Sequence, residues 1–177
     1  MKKMLGVLLF AFAVNAGAGE THLLKQPCRV MDTRQPGCHV AVIWPAGVEA
    51  VCPEGALRDG ETRFLQFQSM YRCGGEVLPL GAKGLIATVT AVDASGQGHL
   101  VLFNPYPVDP WELPTVPTAS TLNFPPAQAT AVTAFTALGQ FQFQELGIPF
   151  NPDAALKARV SGGGTVHVVI DVLGYLQ

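Results

Sequence analysis

The apolar residues of this 177-residue chain fall into short runs, rich in β-branched side chains, that Gly and Pro separate. Thr62–Ser69 alternates apolar and polar residues, which indicates a strand with one buried face. Leu85–Val92 is apolar or Thr at every position, which is typical of a strand covered on both faces. His99–Phe103 and Val166–Val172 are two further apolar runs of strand length.

Turn-forming residues connect these runs. Asp93–Gly98 contains Asp, Ser and two Gly, which predicts a hairpin between the strands on either side, with Gly at positive φ. Ser161–Gly164 is a second Gly-rich turn. Ala127–Leu138 is ambiguous because its alanines permit a helix, but its Val and Thr residues favour the strand that we predict.

The pattern therefore predicts an all-β fold: one β-sandwich or jelly-roll-like domain built from about ten short strands. Ser120–Phe124 and Phe141–Glu145 read as additional strands, and no segment carries an amphipathic helical stripe over three turns. Asn104–Thr118 holds five Pro residues and is predicted to be an extended loop, since Pro cannot donate to a sheet ladder.

The first 18 residues have the pattern of a secretory signal peptide. Lys2 and Lys3 precede the unbroken apolar run Met4–Val14, and an A-x-A sequence ends at Ala18. The run is shorter than the roughly 20 residues of a spanning helix. We expect residues 19–177 to be exported as the single β domain, without membrane insertion, to the periplasm, the cell surface or the medium.

The charge of the expected mature chain argues against two classes of partner. Without Lys2 and Lys3 it carries nine Lys and Arg against 13 Asp and Glu, a net charge of −4. No Lys or Arg occurs from Gly84 to Asp153. Nucleic-acid and anionic-membrane binding need clustered basic residues, so neither partner is expected.

The four Cys residues predict two disulfides, since an even number in an exported chain is typical of structural pairing. Three connectivities are possible. We favour Cys38–Cys52, which would close the insert between them, and Cys28–Cys73, which would tie the first strand to a loop entering the central strands. A redox or metal role is the alternative, although no C-x-x-C pair occurs.

Several separated segments resemble a poorly characterised family of secreted bacterial β-domains with an RVxDTR motif near the start and a DVxGYF motif at the end. The segments are Pro27–Arg34, Cys73–Gly74 followed by Leu78–Pro79 and Ala82–Lys83, Val89–Val92, Gly98–Leu100, Ser120–Phe124 and His167–Tyr175. The resemblance covers nearly the whole expected mature chain and implies a β-domain with no established activity. It also supports Cys28–Cys73 as a pair. Leu176 replaces the family's final Phe, and the insert at residues 37–54 looks particular to this chain.

Asp32, Arg34 and Asp171 are the most suggestive polar residues. Two carboxylates about 5–10 Å apart could serve a glycan hydrolase, and carboxylates can also hold calcium. The alternative is structural, with Arg34 pairing one Asp while Asp32 caps backbone N–H groups at a strand end. We favour the structural interpretation. We therefore predict no catalytic residue, no metal and no cofactor, because a G-x-S-x-G elbow and metal-type His spacing are also missing.

Histidine chemistry gives a further structural expectation. His99 and His167 each lie near the start of an apolar run, and we expect one ring nitrogen of each to bond to the backbone.

Binding candidates come from aromatic residues in the insert and in the Pro-rich loop: Trp44, Tyr106 and Trp111. These rings either cover apolar surface under their own loops or contact a ligand.

The resulting hypothesis is a non-enzymatic exported module that binds a glycan or protein of the cell surface through its loops. Two alternatives from other classes stay open. One is a glycan-active hydrolase that uses Asp32 and Asp171, and the other is a structural subunit of a surface assembly.

Overall fold

The computed structural model describes residues 19–35, 42–44, 47–49, 55–66, 78–79, 82–104, 116–138 and 153–177. Within these ranges the fold is all-β, as predicted, and all strand pairs are antiparallel. The strands are β1 (Thr21–Asp32), β2 (Val42–Trp44), β3 (Gly47–Glu49), β4 (Leu57–Arg58), β5 (Thr62–Gln66), β6 (Gly84–Val92), β7 (Gly98–Phe103), β8 (Leu122–Phe124), β9 (Thr130–Ala137), β10 (Asp153–Val160) and β11 (Thr165–Leu176).

Two sheets form the sandwich. The five-stranded sheet has the order β1-β11-β6-β9, and the short β4 pairs with the beginning of β11. The four-stranded sheet has the order β5-β10-β7-β8. A separate hairpin, β2–β3, lies within the insert between Cys38 and Cys52.

The core lies between the two sheets because alternate residues of their strands face each other there. Leu85, Val89 and Ile170 of the five-stranded sheet are fully buried, as are Leu100 and Leu156 of the four-stranded sheet. The remaining side chains of this core are mostly Val, Ala and Leu from the same strands. Small and branched side chains at period two thus produce one continuous apolar layer.

Several predicted strands are confirmed with small changes in their ends. Leu85–Val92 becomes β6 and His99–Phe103 becomes β7, each one residue longer at its start. The ambiguous Ala127–Leu138 segment forms β9, as its Val and Thr residues favoured. Val166–Val172 extends to β11, and Ser161–Gly163 forms a single 3₁₀ turn before it.

The predicted hairpin around Asp93–Gly98 is wrong. β6 belongs to the five-stranded sheet and β7 to the four-stranded sheet, so this segment crosses between the sheets. Each strand already has two other neighbours, β11 and β9 for β6, and β10 and β8 for β7. The positive φ belongs to Asp93, at 52°, and not to a Gly of the segment. The turn-forming residues correctly indicated that the chain changes direction here, but they did not indicate which strands β6 and β7 pair with.

The strand β10 was not predicted. Its sequence, Asp-Ala-Ala-Leu-Lys-Ala-Arg-Val, is rich in helix-forming residues. The period-two signal was present, since Leu156, Ala158 and Val160 are buried while Lys157 and Arg159 are not. Pairing with both β5 and β7 overrides the local helical preference.

A small second core lies on the outer face of the four-stranded sheet. Val101 and Phe103 of β7 are 3% and 5% exposed, and Val116 packs against them. Val116 belongs to the end of the Pro-rich segment. This segment therefore folds back over the sheet at its described end, while residues 105–115 lie outside the described part of the chain.

Candidate functional site

A cluster of charged side chains lies where β1 pairs with β11. We call it the arginine–aspartate cluster, and it consists of Arg29, Asp32, Arg34 and Asp171. Arg29 is directly opposite Asp171 in the antiparallel pair, and Asp32 is opposite Val169. An irregularity between Arg29 and Met31 inserts one extra residue on β1. This bulge brings Arg29 and Asp32 to the same face, although residues three apart in a regular strand point to opposite faces.

Every charged side chain of the cluster has a partner. Arg29 binds Asp171 with two hydrogen bonds, from Nε to Oδ1 at 2.9 Å and from Nη2 to Oδ2 at 3.1 Å. Its Nη1 donates to Asp32 Oδ2 at 3.5 Å. Arg34 binds Asp32 with Nε at 2.9 Å from Oδ1 and Nη2 at 2.8 Å from Oδ2. The guanidinium of Arg29 thus contacts both carboxylates, and the guanidinium of Arg34 binds Asp32 as well.

Asp32 is the buried centre of the cluster. Its side chain is 2% exposed, and its Oδ1 also accepts a hydrogen bond from the backbone N–H of Arg34 at 3.1 Å. The hydrogen bonds from the Arg34 side chain hold the pKa of Asp32 below its ordinary value, against the opposing effect of burial. Asp32 is therefore ionised at neutral pH with its oxygens engaged, which suits an anchor for a strand end better than a proton acceptor.

The same strand ends are joined by Thr33. Its Oγ1 accepts a hydrogen bond from the backbone N–H of Val168 at 2.9 Å and lies 3.0 Å from Nδ1 of His167. The hydroxyl of Thr33 thus links the backbone of Val168 to the ring of His167, and the direction of its bond with Nδ1 depends on the tautomer of the imidazole. The expectation that His167 bonds to the backbone is wrong, since its partner is the Thr33 side chain.

A cleft of about 750 Å³ opens at one end of the four-stranded sheet, on its outer side. Three of its polar residues lie side by side on adjacent strands: Arg159 on β10, His99 on β7 and Asn123 on β8. Arg159 is opposite His99, and His99 is opposite Asn123. Residues opposite each other in antiparallel strands have neighbouring side chains on one face, so these three form a continuous row.

The side chains in this row are unsatisfied within the described part of the chain. Arg159 forms no ion pair, and no hydrogen bond joins the side chains of Arg159, His99 or Asn123 to another described residue. The expected backbone bond of the His99 ring is therefore not found there. The row therefore offers hydrogen-bond donors and acceptors side by side, and these groups are open to a ligand.

The walls of the cleft are held by backbone bonds. Asp59 Oδ1 accepts from the N–H of Val160 at 3.0 Å, and Ser161 N–H donates to the carbonyl of Gln97 at 2.9 Å. At Gly98 the ring of Phe124 comes so close that a Cβ atom would lie 2.8 Å from its Cζ atom. These contacts join the β4–β5 turn, the β6–β7 connection and the end of β10 around the cleft.

The residues predicted as binding candidates cannot be placed. Tyr106 and Trp111 lie outside the described residues, and only the backbone of Trp44 is described, in β2. Cys28 in β1 is 1% exposed and is not free, but Cys38, Cys52 and Cys73 lie outside the described residues. Both disulfides therefore stay predictions.

Sequence reasoning missed Arg29, Thr33, Arg159 and Asn123. The i, i+3 spacing of Arg29 and Asp32 concealed their contact because only a bulge makes it possible. Arg159 was hidden in a segment of helical composition, and nothing local connects Asn123 to His99. Their proximity depends on strand order, which one sequence does not supply.

Comparison of the chain with protein-family models, curated proteins and solved structures gave no match. The resemblance to the secreted β-domains therefore stays a prediction. The structure adds one relevant geometry: Arg29–Asp32 of the first motif lies in β1 and Ile170–Tyr175 lies in β11, which pairs with β1. Thr33 and Arg34 follow directly after β1. At Gly174 an added Cβ would meet the carbonyl of His22 and lie 3.2 Å from Leu23 Cα, so β1 passes too closely for a larger residue.

Two further observations concern the described residues only. No group of three or more His, Cys, Asp or Glu side chains there could hold a metal ion together. No helix in that part of the chain is long and apolar enough to cross a membrane.

Proposed function

We propose that this chain is an exported, non-enzymatic β-sandwich that binds a glycan or protein in the periplasm or at the surface of a bacterial cell. The cleft carries this proposal. It offers Arg159, His99 and Asn123 as adjacent polar side chains that no described residue satisfies. Polar groups left open in a concave site are typical of ligand recognition.

The state of the two candidate catalytic carboxylates supports a binding role over hydrolysis. A glycosidase needs one carboxylic acid that can donate a proton and a second carboxylate open to the sugar or to water. Arg29 donates hydrogen bonds to both Asp32 and Asp171, and Arg34 donates a further hydrogen bond to Asp32. A sugar would have to displace these guanidinium groups before it could reach either carboxylate.

Export rests on the leader and on the cysteines. Residues 1–18 have the signal-peptide pattern, and the even number of Cys residues suits an oxidising compartment. Expression of the full chain in a bacterium should give a periplasmic or secreted product that begins at Gly19. A non-reduced peptide map of that product should join Cys28 to Cys73 and Cys38 to Cys52. A cytoplasmic product that keeps residues 1–18 would contradict the proposed export.

Binding is tested by applying the folded, exported protein to a glycan array and to an extract of bacterial envelopes. We expect one class of envelope glycan or protein to be retained, and an N123A variant to retain less of it. Asn123 is exposed on β8, so its removal should leave the fold intact. Absence of binding in both assays, or equal binding by N123A and the native chain, would contradict a binding role for the cleft.

A further inference from the structure

The cleft has a chemical character beyond its shape, and this inference rests on the proposed function. We propose that the cleft recognises an acidic saccharide, with the guanidinium of Arg159 binding a sugar carboxylate while His99 and Asn123 bind neighbouring hydroxyl groups.

The charge balance of the cleft indicates an anion. Arg159 lies on its wall without an acidic partner among the described residues, whereas Arg29, Arg34 and Arg63 each bind a carboxylate. Arg58 also has no ion pair with a described residue, but it does not line the cleft. Among the described residues lining the cleft, Asp59 is the acidic one; its Oδ1 accepts a hydrogen bond from the backbone N–H of Val160, which orients the carboxylate but leaves its charge in the cleft. Lys157 adds a second cation on the same face of β10, two residues from Arg159.

The position of Arg159 suits a carboxylate more than a diffuse negative charge. Its Nη1 lies 3.5 Å from where a Cβ atom of Gly60 would be, so the guanidinium extends along the turn between β4 and β5. That turn is fixed to β10, since Gly60 N–H donates to the carbonyl of Ala158 at 2.9 Å and Ala158 N–H donates to the carbonyl of Glu61 at 3.0 Å. The Arg159 guanidinium therefore lies beside a well-connected turn with its N–H groups unengaged by described residues, and a guanidinium can bind two oxygens of one carboxylate through parallel N–H groups.

The neutral side chains indicate a saccharide as the carrier of that carboxylate. The Asn123 amide both donates and accepts hydrogen bonds, and the imidazole of His99 offers two ring nitrogens for hydrogen bonding. Sugar hydroxyls also donate and accept, so they match this pair. The cleft is open along its length and has volume for more than one sugar ring.

Isothermal titration calorimetry with tetragalacturonate as the probe tests the inference. We expect the native protein to bind it and R159Q to bind it about 10- to 100-fold more weakly, which is the range of one charge-assisted hydrogen-bonded pair. R159K should lose less, because it keeps the charge but not the two parallel N–H groups. The matched control is R58Q, which removes the same charge from β4 outside the cleft and should bind like the native chain.

The outcomes separate this inference from the proposed function. Equal binding of the methyl ester of tetragalacturonate, or equal weakening by R159Q and R58Q, would overturn the role of the carboxylate while leaving a saccharide-binding cleft. Tighter binding of a tetraglutamate peptide would overturn the choice of a saccharide. A sulfated tetrasaccharide that binds through Arg159 while tetragalacturonate does not would overturn the choice of carboxylate. If N123A binds every probe like the native chain, both proposals fail.

Discussion

The arginine–aspartate cluster and the cleft use the same residue types in opposite ways. In the cluster Arg29 and Arg34 are each bound to carboxylates, and Asp32 accepts bonds from both guanidinium groups and from a backbone N–H. In the cleft Arg159 stands beside His99 and Asn123 with no partner among the described residues. The satisfied cluster joins two strands, whereas the open row keeps its hydrogen-bonding capacity for another molecule.

Removal of Asp32 should have the largest effect on stability. D32A deletes a buried acceptor and is expected to lower the free energy of unfolding by about 2–3 kcal/mol. This is less than for a fully buried ion pair because Arg29 and Arg34 are about half exposed and would take up water. Urea unfolding at pH 7 measures the change. E20Q, which removes an exposed carboxylate, is the control and should unfold like the native chain. Equal effects of D32A and E20Q on the free energy of unfolding would contradict a stabilising role of the cluster and so its contrast with the cleft.

Loss of the Thr33 hydroxyl should have the next largest effect. T33V leaves the backbone N–H of Val168 buried without its side-chain acceptor and frees Nδ1 of His167. We expect a loss of about 1–2 kcal/mol in urea unfolding. T62V makes the same chemical change at an exposed position of β5 and should have almost no effect. A T33V variant as stable as T62V would show that the Thr33 bonds do not support the fold.

The cluster should also make stability depend on pH in the acidic range. Because the Arg34 hydrogen bonds lower the pKa of Asp32 in the folded protein, its contribution is fully present above the unfolded pKa of about 3.9 and disappears as the pH falls through the lower folded pKa. The native chain should therefore be more stable than D32N at pH 7, and the difference should narrow below about pH 4. Urea midpoints measured from pH 7 to pH 2 test this. A constant difference would contradict the proposed role of the Asp32 charge.

Changes in the cleft should have the smallest effects on stability. R159Q and N123A remove side chains that have no partner in the described structure, so unfolding free energies should stay within about 0.5 kcal/mol of the native value. The same variants should reduce binding while the protein stays as stable as the native chain. D32A, in contrast, should lower the stability itself. If R159Q instead lowers stability as much as D32A, Arg159 has a structural partner and the cleft resembles the cluster.

The sequence predicted the all-β fold class and singled out Asp32, but it identified only some residues of the arginine–aspartate cluster. Continuous apolar runs predicted β6, β7 and most of β11, and the Val and Thr residues of Ala127–Leu138 predicted β9, because each of these signals lies within a few consecutive residues. The same reasoning singled out Asp32, Arg34 and Asp171 but missed Arg29, whose contact with Asp32 needs the bulge in β1. It also missed β10, where pairing on both sides overrides helical propensity.

The cleft was beyond prediction for a different reason. Arg159, His99 and Asn123 come from three segments separated by 24 and 36 residues, and no motif spans them. Their proximity follows from β7 lying between β10 and β8. Local signals, such as the turn residues at Asp93–Gly98, indicated β6 as the neighbour of β7, which is the wrong partner.

The sequence by itself determined the all-β class, the positions of most strands and the identity of the charged residues, since each depends on a few consecutive side chains. Tertiary structure decided which strands share a sheet, where a bulge turns a residue to the other face, and which arginine is neutralised and which is left open. Those features depend on contacts between residues far apart in the chain. Their free energies are comparable for several alternative pairings until the whole core is packed.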